Sequence, residues 1–291
     1  MRGSDDVAPH WKSGSAVDIV RRHSPGRVLV ALLLVACLGL AGSACSSHSA
    51  TAKTPAAHHV VARVLPAPSG LIAAGAPQPN GLLWVLSGGV SVKTLTSVDL
   101  VDAKTLDSVG VSTSASAVAQ SSTGILALGL ATARTGAVEL LNATTGAEDG
   151  SIAVGAPVLG LAFGDDGVTL YVLDGESSST SVTVIDTTSS TIVTSFGQPH
   201  DAIGLVPDPS QSAIWTVDRS GVIEETSLSS GKPVAAFAVG DPGLAIAMSP
   251  NSAHLYVLKG TPGASDIAVV STVTGGVEYA EAPFSSTAVT A

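Results

Sequence analysis

Leu170-Tyr171-Val172 is one of five short, strand-like cores that recur along this chain at a nearly constant spacing. The other cores centre on Trp84, Leu126, Trp215 and Tyr256, so that the steps are 42, 45, 44 and 41 residues. A period of this length, with several short strands in each repeat, is typical of radial arrays in which every repeat forms one four-stranded sheet. The spacing therefore predicts an all-β fold, a β-propeller with about five four-stranded blades.

The third repeat shows the expected order of strands most clearly. Leu159–Phe163 is a short apolar strand, and Gly164-Asp165-Asp166-Gly167 is a tight hairpin turn made of residues that tolerate positive φ. Three further strands are expected at Thr169–Leu173, Val182–Asp186 and Thr191–Phe196. A second landmark, the polar turn after the third strand, recurs at steps of 40, 44, 41 and 44 residues, from Asp102, Asn142, Asp186, Ser227 and Ser271. We expect blades near residues 70–114, 115–156, 157–199, 200–241 and 242–283.

These stretches resemble the YVTN-type β-propeller repeat, which consists of a Ser-Pro-Asp-Gly turn, then Leu-Tyr-Val, then Val-x-Val-Ile-Asp and a Thr/Gly turn. The matching segments are Met248-Ser249-Pro250-Asn251 with Leu255-Tyr256-Val257, and Leu170-Tyr171-Val172 with Val184-Ile185-Asp186. The resemblance covers about residues 60–291 and implies the fold. It implies no activity, because the repeat residues are turn formers and strand fillers.

Partial strands are expected at both ends of the propeller region, which spans residues 60–291. Val61–Leu65 resembles an outer strand, and Thr287–Ala291 falls where an inner strand is due. Either five blades close the ring and these strands are accessory, or the ring is an incomplete six- or seven-bladed one. The second alternative leaves an open propeller edge that a partner strand could occupy.

The N-terminal 44 residues are typical of a secretory signal sequence with a long n-region. Arg21, Arg22 and Arg27 precede the apolar run Val28–Leu40, and small residues lead into Cys45. This order resembles the lipobox of bacterial lipoproteins, which implies lipidation of Cys45, with Cys37 as the alternative. Residues 45–59 are rich in Ser, Thr and Ala and predict a flexible tether. The expected location is extracytoplasmic, anchored to the cell membrane by an N-terminal lipid.

Charge limits the range of partners. From Cys45 onward the chain has 8 basic and 20 acidic residues, a net charge of −12, which argues against nucleic acid. The lipid is the only membrane contact that we predict. An envelope protein or a small molecule remains open as the ligand.

Functional groups are sparse in the repeats, and we predict no catalytic residue, cofactor or metal. His200 with Asp201 lies in a connection from an outer strand to the next inner strand. In a propeller these connections share one face with the loops between second and third strands. Candidate binding residues on this face are His200, Asp201, Asp174, Asp218, Arg219, Arg134 and Lys259.

Three functional hypotheses follow from these features. The first is a lipid-anchored, non-catalytic binding or scaffolding module of the bacterial cell envelope. The second is a propeller hydrolase or lactonase with a site around His200, Asp174 and Asp218. The third is a non-functional, truncated propeller.

Overall fold

The structure is a computed structural model that describes residues 71–75, 81–102, 104–176, 179–198, 201–210, 212–240, 242–261 and 264–281. It contains five four-stranded antiparallel sheets. Blade 1 is formed by β1 (Leu71–Ala74), β2 (Leu82–Gly88), β3 (Lys93–Asp99) and β4 (Lys104–Val111). Blade 2 is formed by β5 (Ala115–Gln120), β6 (Ile125–Ala131), β7 (Gly136–Asn142) and β8 (Glu148–Val154). Blade 3 is formed by β9 (Val158–Phe163), β10 (Thr169–Glu176), β11 (Ser179–Asp186) and β12 (Thr191–Gly197). Blade 4 is formed by β13 (Ala202–Pro207), β14 (Ala213–Asp218), β15 (Val222–Ser227) and β16 (Lys232–Ala238). Blade 5 is formed by β17 (Gly243–Met248), β18 (His254–Thr261), β19 (Ala264–Ser271) and β20 (Val277–Glu281).

Within every blade the strands pair in chain order, from an inner strand to an outer strand. The inner strands of successive blades pack against each other, β1 on β5, β5 on β9, β9 on β13 and β13 on β17. This arrangement is a five-bladed β-propeller, which confirms the predicted fold class. Among the described strands, β1 and β17 do not pack on each other to the same extent. The predicted terminal strands at 61–65 and 287–291 lie outside the described residues.

The pairing of second and third strands corrects the repeat register in blade 2. The hairpins begin with equivalent pairs, among them Ile125 with Asn142 and Thr169 with Asp186. Counting two residues along the second strand from these pairs gives Ala127 in blade 2 and Tyr171 in blade 3. Ala127 is therefore the residue equivalent to Tyr171, and the prediction that Leu126 is equivalent to Tyr171 is wrong by one residue. The cause is a shorter turn, because Ser121 N donates to Ile125 O whereas Gly164 N donates to the residue five positions on, Thr169.

The same comparison corrects the second landmark in blade 1. Leu82 pairs with Asp99, so Asp99 rather than Asp102 ends the third strand. Asp99 Oδ1 accepts hydrogen bonds from the backbone N–H groups of Val101 (2.8 Å) and Asp102 (3.1 Å). Asp186 and Asn142 accept the equivalent pairs of bonds in blades 3 and 2. The landmark is thus a side-chain cap of the turn, which explains why Asp and Asn recur there.

In four of these turns, the residue four positions after the end of the third strand has a backbone conformation in the left-handed region. Gly146, Gly231 and Gly275 have φ of 70°, 64° and 68°, and Ser190 has φ of 54°. Glycine adopts this conformation without a steric penalty, whereas serine does not. Gly275 also lies against the preceding blade, because a Cβ atom there would be 2.5 Å from Phe237 Cε1.

The core consists of apolar clusters between neighbouring blades. Trp84 and Leu86 of blade 1 pack with Leu126 and Leu128 of blade 2. Equivalent clusters join blades 2 and 3, 3 and 4, and 4 and 5. Because side chains alternate along a strand, each blade presents one row of residues to the preceding blade and the other row to the next. No separate central core is needed, and the strand ends remain available at the two faces.

Candidate functional site

One face of the propeller carries the loops between second and third strands and the connections between blades. We call it the loop face. Every inner strand enters from this face, and each has a β-bulge at its second residue, where one residue is left out of the pairing with the second strand. The bulged residues are Ile72, Ser116, Leu159, Ile203 and Leu244. A bulge redirects a side chain and recurs next to functional sites.

Four of the five bulged residues are aliphatic. Ile72 is 38% exposed and Leu159 is 39% exposed. Ser116 instead donates its hydroxyl to Gly129 O (3.2 Å) and to Val158 O of the next blade (2.8 Å). The entrance of the inner strands therefore combines accessible apolar surface with backbone that is held firmly by hydrogen bonds.

The predicted residues of blade 4 form a local polar group on the loop face. Asp218 Oδ1 accepts three hydrogen bonds of 2.8 Å, from Ser220 N, Ser220 Oγ and Val222 N. These bonds cap the turn that leads from β14 to β15. Arg219, whose side chain is 70% exposed, contacts Asp201 with its Nε 3.5 Å from Oδ2. Ala202, the residue after Asp201, pairs with Asp218, the residue before Arg219. The pairing of β13 with β14 therefore brings Asp201 and Arg219 together. His200 lies outside the described residues.

Asp174 of blade 3 is buried rather than presented to solvent. Its Oδ1 accepts hydrogen bonds from Thr183 Oγ1 (3.0 Å) and Ser181 Oγ (3.2 Å). Desolvation raises the pKa of the Asp174 carboxyl above its ordinary value, although these two hydrogen bonds act in the opposite direction. Asp174 lies in the row of β10 that contains Leu170 and Val172, which pack with residues of blade 2. Asp174 is therefore a buried polar residue of the interface with blade 2.

Lys259 and Arg134 lie on two other blades. Lys259 is buried, and its Nζ lies 4.5 Å from the centroid of the Tyr279 ring, a cation–π contact within blade 5. Arg134 is exposed in the loop between β6 and β7. Of the predicted residues that the structure describes, Asp201 and Arg219 are thus brought together as an ion pair, while Asp174 and Lys259 are engaged within their own blades.

A set of polar bonds, which the sequence does not predict, joins neighbouring blades at this face. Lys93 Nζ donates to Ala115 O, and Ala202 N donates to Thr180 Oγ1 at 3.2 Å. Thr216 Oγ1 donates to Gln198 Oε1 at 3.2 Å. The only signal in the sequence was a single polar residue near each strand end, which does not reveal its partner in another repeat. The first two bonds hold the starts of the inner strands β5 and β13, next to the bulged residues Ser116 and Ile203.

Within the described ranges, no group of three or more His, Cys, Asp or Glu side chains is arranged to hold a metal ion. No helix in the part of the chain that the structure describes has the length and apolarity needed to cross a bilayer. The leader at residues 1–44 and the tether at 45–59 lie outside that part.

No family model matches the chain, and no curated protein matches it. Among solved structures, the chain is similar to the hydrazine synthase of Kuenenia stuttgartiensis, with a TM-score of 0.61 and 18% sequence identity. The aligned region covers 73% of this chain and 66% of that chain, so it spans slightly less than two thirds of the solved protein. This likeness shows the fold alone. The YVTN-type repeat and the lipoprotein leader remain predictions from the sequence.

Proposed function

We propose that this protein is a non-catalytic binding or scaffolding module of the bacterial cell envelope, which is held at the membrane by a lipid on Cys45 and binds its partner with the loop face. The observation that carries the proposal is the repeated bulge of the inner strands. It offers apolar residues at the centre of this face, including the exposed Ile72 and Leu159. The Asp201–Arg219 ion pair and Arg134 lie at the ends of strands or in loops on the same face.

This composition suits protein recognition. An apolar centre with charged groups around it is the usual anatomy of a protein interface. The chain is acidic overall, which favours a partner with a basic contact surface.

The loop-face assignment can be tested by photo-cross-linking in the cells that produce the protein. A photoreactive phenylalanine analogue at Leu159 samples the loop face, and the same analogue at Asp165, an exposed turn residue, samples the opposite face. We expect one discrete adduct from position 159 and none from position 165. The same adduct from both positions, or none from either, would contradict the proposed binding face.

The anchor is tested separately. Replacing Cys45 by Ala removes the predicted lipid attachment site, so the variant is expected in the soluble extracytoplasmic fraction. Cys37→Ala is the matched control and should remain with the membrane. Retention of the Cys45→Ala variant at the membrane would refute the anchor on Cys45 and leave the loop-face proposal untouched.

The hydrolase hypothesis has less support. Asp218 is engaged in capping its own turn, and Asp174 is buried between blades and hydrogen-bonded to two hydroxyls. A general base needs access to its substrate, which neither carboxylate offers in this geometry. A His200→Ala variant tests the hypothesis directly, because loss of turnover of a lactone substrate would revive it.

A further inference from the structure

The junction between blade 5 and blade 1 differs from the other four junctions of the propeller. At each of the others, an inner strand packs against the inner strand of the next blade, and the second strand of its own blade packs against that next inner strand as well. Among the described strands, β1 makes no contact of comparable extent with β17 or with β18. Blades 5 and 1 are therefore separated by a seam, which β17 and β18 border on one side and β1 and β2 on the other.

Both walls of this seam are apolar and buried. On blade 1 the wall consists of Leu83, Val85 and Val98, which are 2%, 6% and 7% exposed and form a cluster whose described members all belong to blade 1. On blade 5 the wall includes Leu258, which is fully buried and lies in the same register position as Val217 of blade 4. Val217 is covered by the start of β17. A single sheet does not bury its own face, so further atoms of the chain cover these walls, although no described strand packs between them.

The connection from each outer strand to the next inner strand has a constant length. Four outer-strand residues each pair with the residue four positions before the last residue of the third strand: Val109, Ile152, Phe196 and Phe237. The next inner strands begin six residues later in every case, at Ala115, Val158, Ala202 and Gly243. The equivalent residue of blade 5 is Ala280, which pairs with Ile267. The same step predicts that a further inner strand begins at Ser286.

Residues 286–291 also have the sequence pattern of an inner strand. β5, β9, β13 and β17 are each six residues long. In all four, the third residue is alanine or glycine and the fourth is aliphatic, as in Ala117-Val118, Gly160-Leu161, Gly204-Leu205 and Ala245-Ile246. Residues 286–291 carry Ala288 and Val289 at these two positions. Connection length and residue pattern therefore agree on the same register.

The pattern has a packing reason, which the glycines show. A Cβ atom at Gly160 would lie 3.0 Å from Leu205 Cδ2, and one at Gly204 would lie 3.4 Å from Ile246 Cγ2. The small third residue of an inner strand thus makes room for the aliphatic fourth residue of the next inner strand.

We propose that residues 286–291, which lie outside the described residues, occupy the seam as a further inner strand that packs between β17 and β1. Its fourth residue, Val289, then lies against Ala245, and its start covers Leu258. The chain that leads to it from β20 has the length found at the other junctions, so it keeps the strand at a high effective concentration beside β17. This tether favours the chain's own segment over a strand from a partner.

A disulfide can trap this register. The background is the full chain with Cys37→Ser and Cys45→Ser, which removes both native cysteines. Ala245→Cys with Val289→Cys places two thiols where the strands are expected to meet. The matched control is Ala245→Cys with Thr290→Cys, because adjacent residues of a strand point to opposite sides.

The measurement is the rate of intramolecular disulfide formation under mild oxidation, with the linked residues identified by mass spectrometry. Gly204→Cys with Ile246→Cys joins two described strands at the equivalent contact and gives the reference rate. We expect the 245–289 pair to close within about tenfold of this rate, and the 245–290 pair at least about tenfold more slowly. The proposal would be overturned by the absence of the 245–289 disulfide or by equal rates for both pairs. Dimers linked from 245 of one chain to 289 of another would also overturn it, because they would place a second copy's segment in the seam.

A second comparison does not depend on the cysteine variants. Val289→Asp introduces a charge at the expected contact with β17. Thr287→Asp introduces it at the bulged second position, whose equivalent in blade 3, Leu159, is 39% exposed. We expect Val289→Asp to lower the urea midpoint of unfolding by about 0.5 M or more, and Thr287→Asp to change it by less than about 0.2 M. Equal midpoints for the two variants would contradict docking of residues 286–291 in the seam.

Discussion

Two tryptophans occupy equivalent positions in this propeller but have different polar environments. Each tryptophan, Trp84 or Trp215, lies in the second strand of its blade, two residues after the first residue of that strand that pairs with the third strand. Both side chains are almost fully buried. Trp84 Nε1 donates a hydrogen bond of 2.7 Å to Ala143 O of the next blade. Trp215 Nε1 is buried and has no hydrogen-bond partner among the residues that the structure describes. Replacing each tryptophan by phenylalanine should therefore have different energetic consequences.

The apolar part of the change is similar at both positions. Each substitution removes part of a buried ring at a cost on the order of 1–3 kcal/mol. Trp84→Phe additionally leaves the buried carbonyl of Ala143 without this donor, which costs about 1–3 kcal/mol more. Trp215→Phe removes an unpaired donor and recovers a comparable amount. It also keeps a ring next to Phe237, whose centroid is 6.0 Å away in a stacked arrangement. We expect Trp84→Phe to be less stable than Trp215→Phe by about 2 kcal/mol or more.

Urea unfolding of the full chain, followed by far-UV circular dichroism, measures this difference. Circular dichroism is preferable to fluorescence because both substitutions remove a fluorophore. The comparison requires equal slopes with urea concentration, which show that the unfolded states of the two variants are alike. Equal losses of stability, or a larger loss for Trp215→Phe, would refute the assignment of the energy to the Nε1 hydrogen bond.

Three further predictions concern single residues. Ser190→Gly should raise the free energy of unfolding by about 0.5–1 kcal/mol, because serine at φ 54° is strained where glycine is not; a lower midpoint in urea would contradict this. Gly275→Ala should cost about 2 kcal/mol, since its φ is 68° and its Cβ would collide with the Phe237 ring. Gly150→Ala, where a Cβ meets no atom of the described residues within 4 Å, is the control with an expected effect near zero. Burial raises the pKa of Asp174 above its unfolded value, so its contribution to stability is present at acidic pH and is lost as pH rises through the folded pKa. The stability of Asp174→Asn relative to wild type should consequently increase from pH 4 to pH 7, and a pH-independent difference would argue against this interpretation.

The number and order of blades could be predicted because their signals are local. A hairpin turn, an apolar strand and a capped polar turn recur within each repeat, and each depends on residues only a few positions apart. The register of blade 2 was missed because its turn is shorter by one residue and Ala127 stands where other blades have an aromatic ring. The run Ile125–Ala131 contains no polar residue, so the sequence does not show which of its side chains face the preceding blade and which face the next blade.

The candidate site was harder to predict because it depends on contacts between repeats. The sequence places Asp174 at the end of a strand, and it does not show that the carboxylate is directed into a buried interface. The role of Asp218 was visible in part, because Asp218-Arg219-Ser220-Gly221 is a typical turn sequence. A residue that forms a turn well is as easily explained by the turn as by a ligand, and the hydrogen bonds of Asp218 decide between the two explanations.

The distribution of polar contacts also separates structural from recognition roles on the loop face. Many of the polar side chains at the strand ends join blades or cap turns, as Thr180, Lys93 and Asp218 do. A substitution of such a residue alters the scaffold, so that a loss of binding would not identify a contact. The bulged residues are different, since Ile72 and Leu159 remain accessible although β1 packs on β5 and β9 packs between β5 and β13. If the loop face binds a partner, substitutions at Ile72 and Leu159 should weaken binding without lowering the free energy of unfolding. Substitutions at Thr180 or Asp218 should lower both, and this contrast distinguishes recognition from support of the fold.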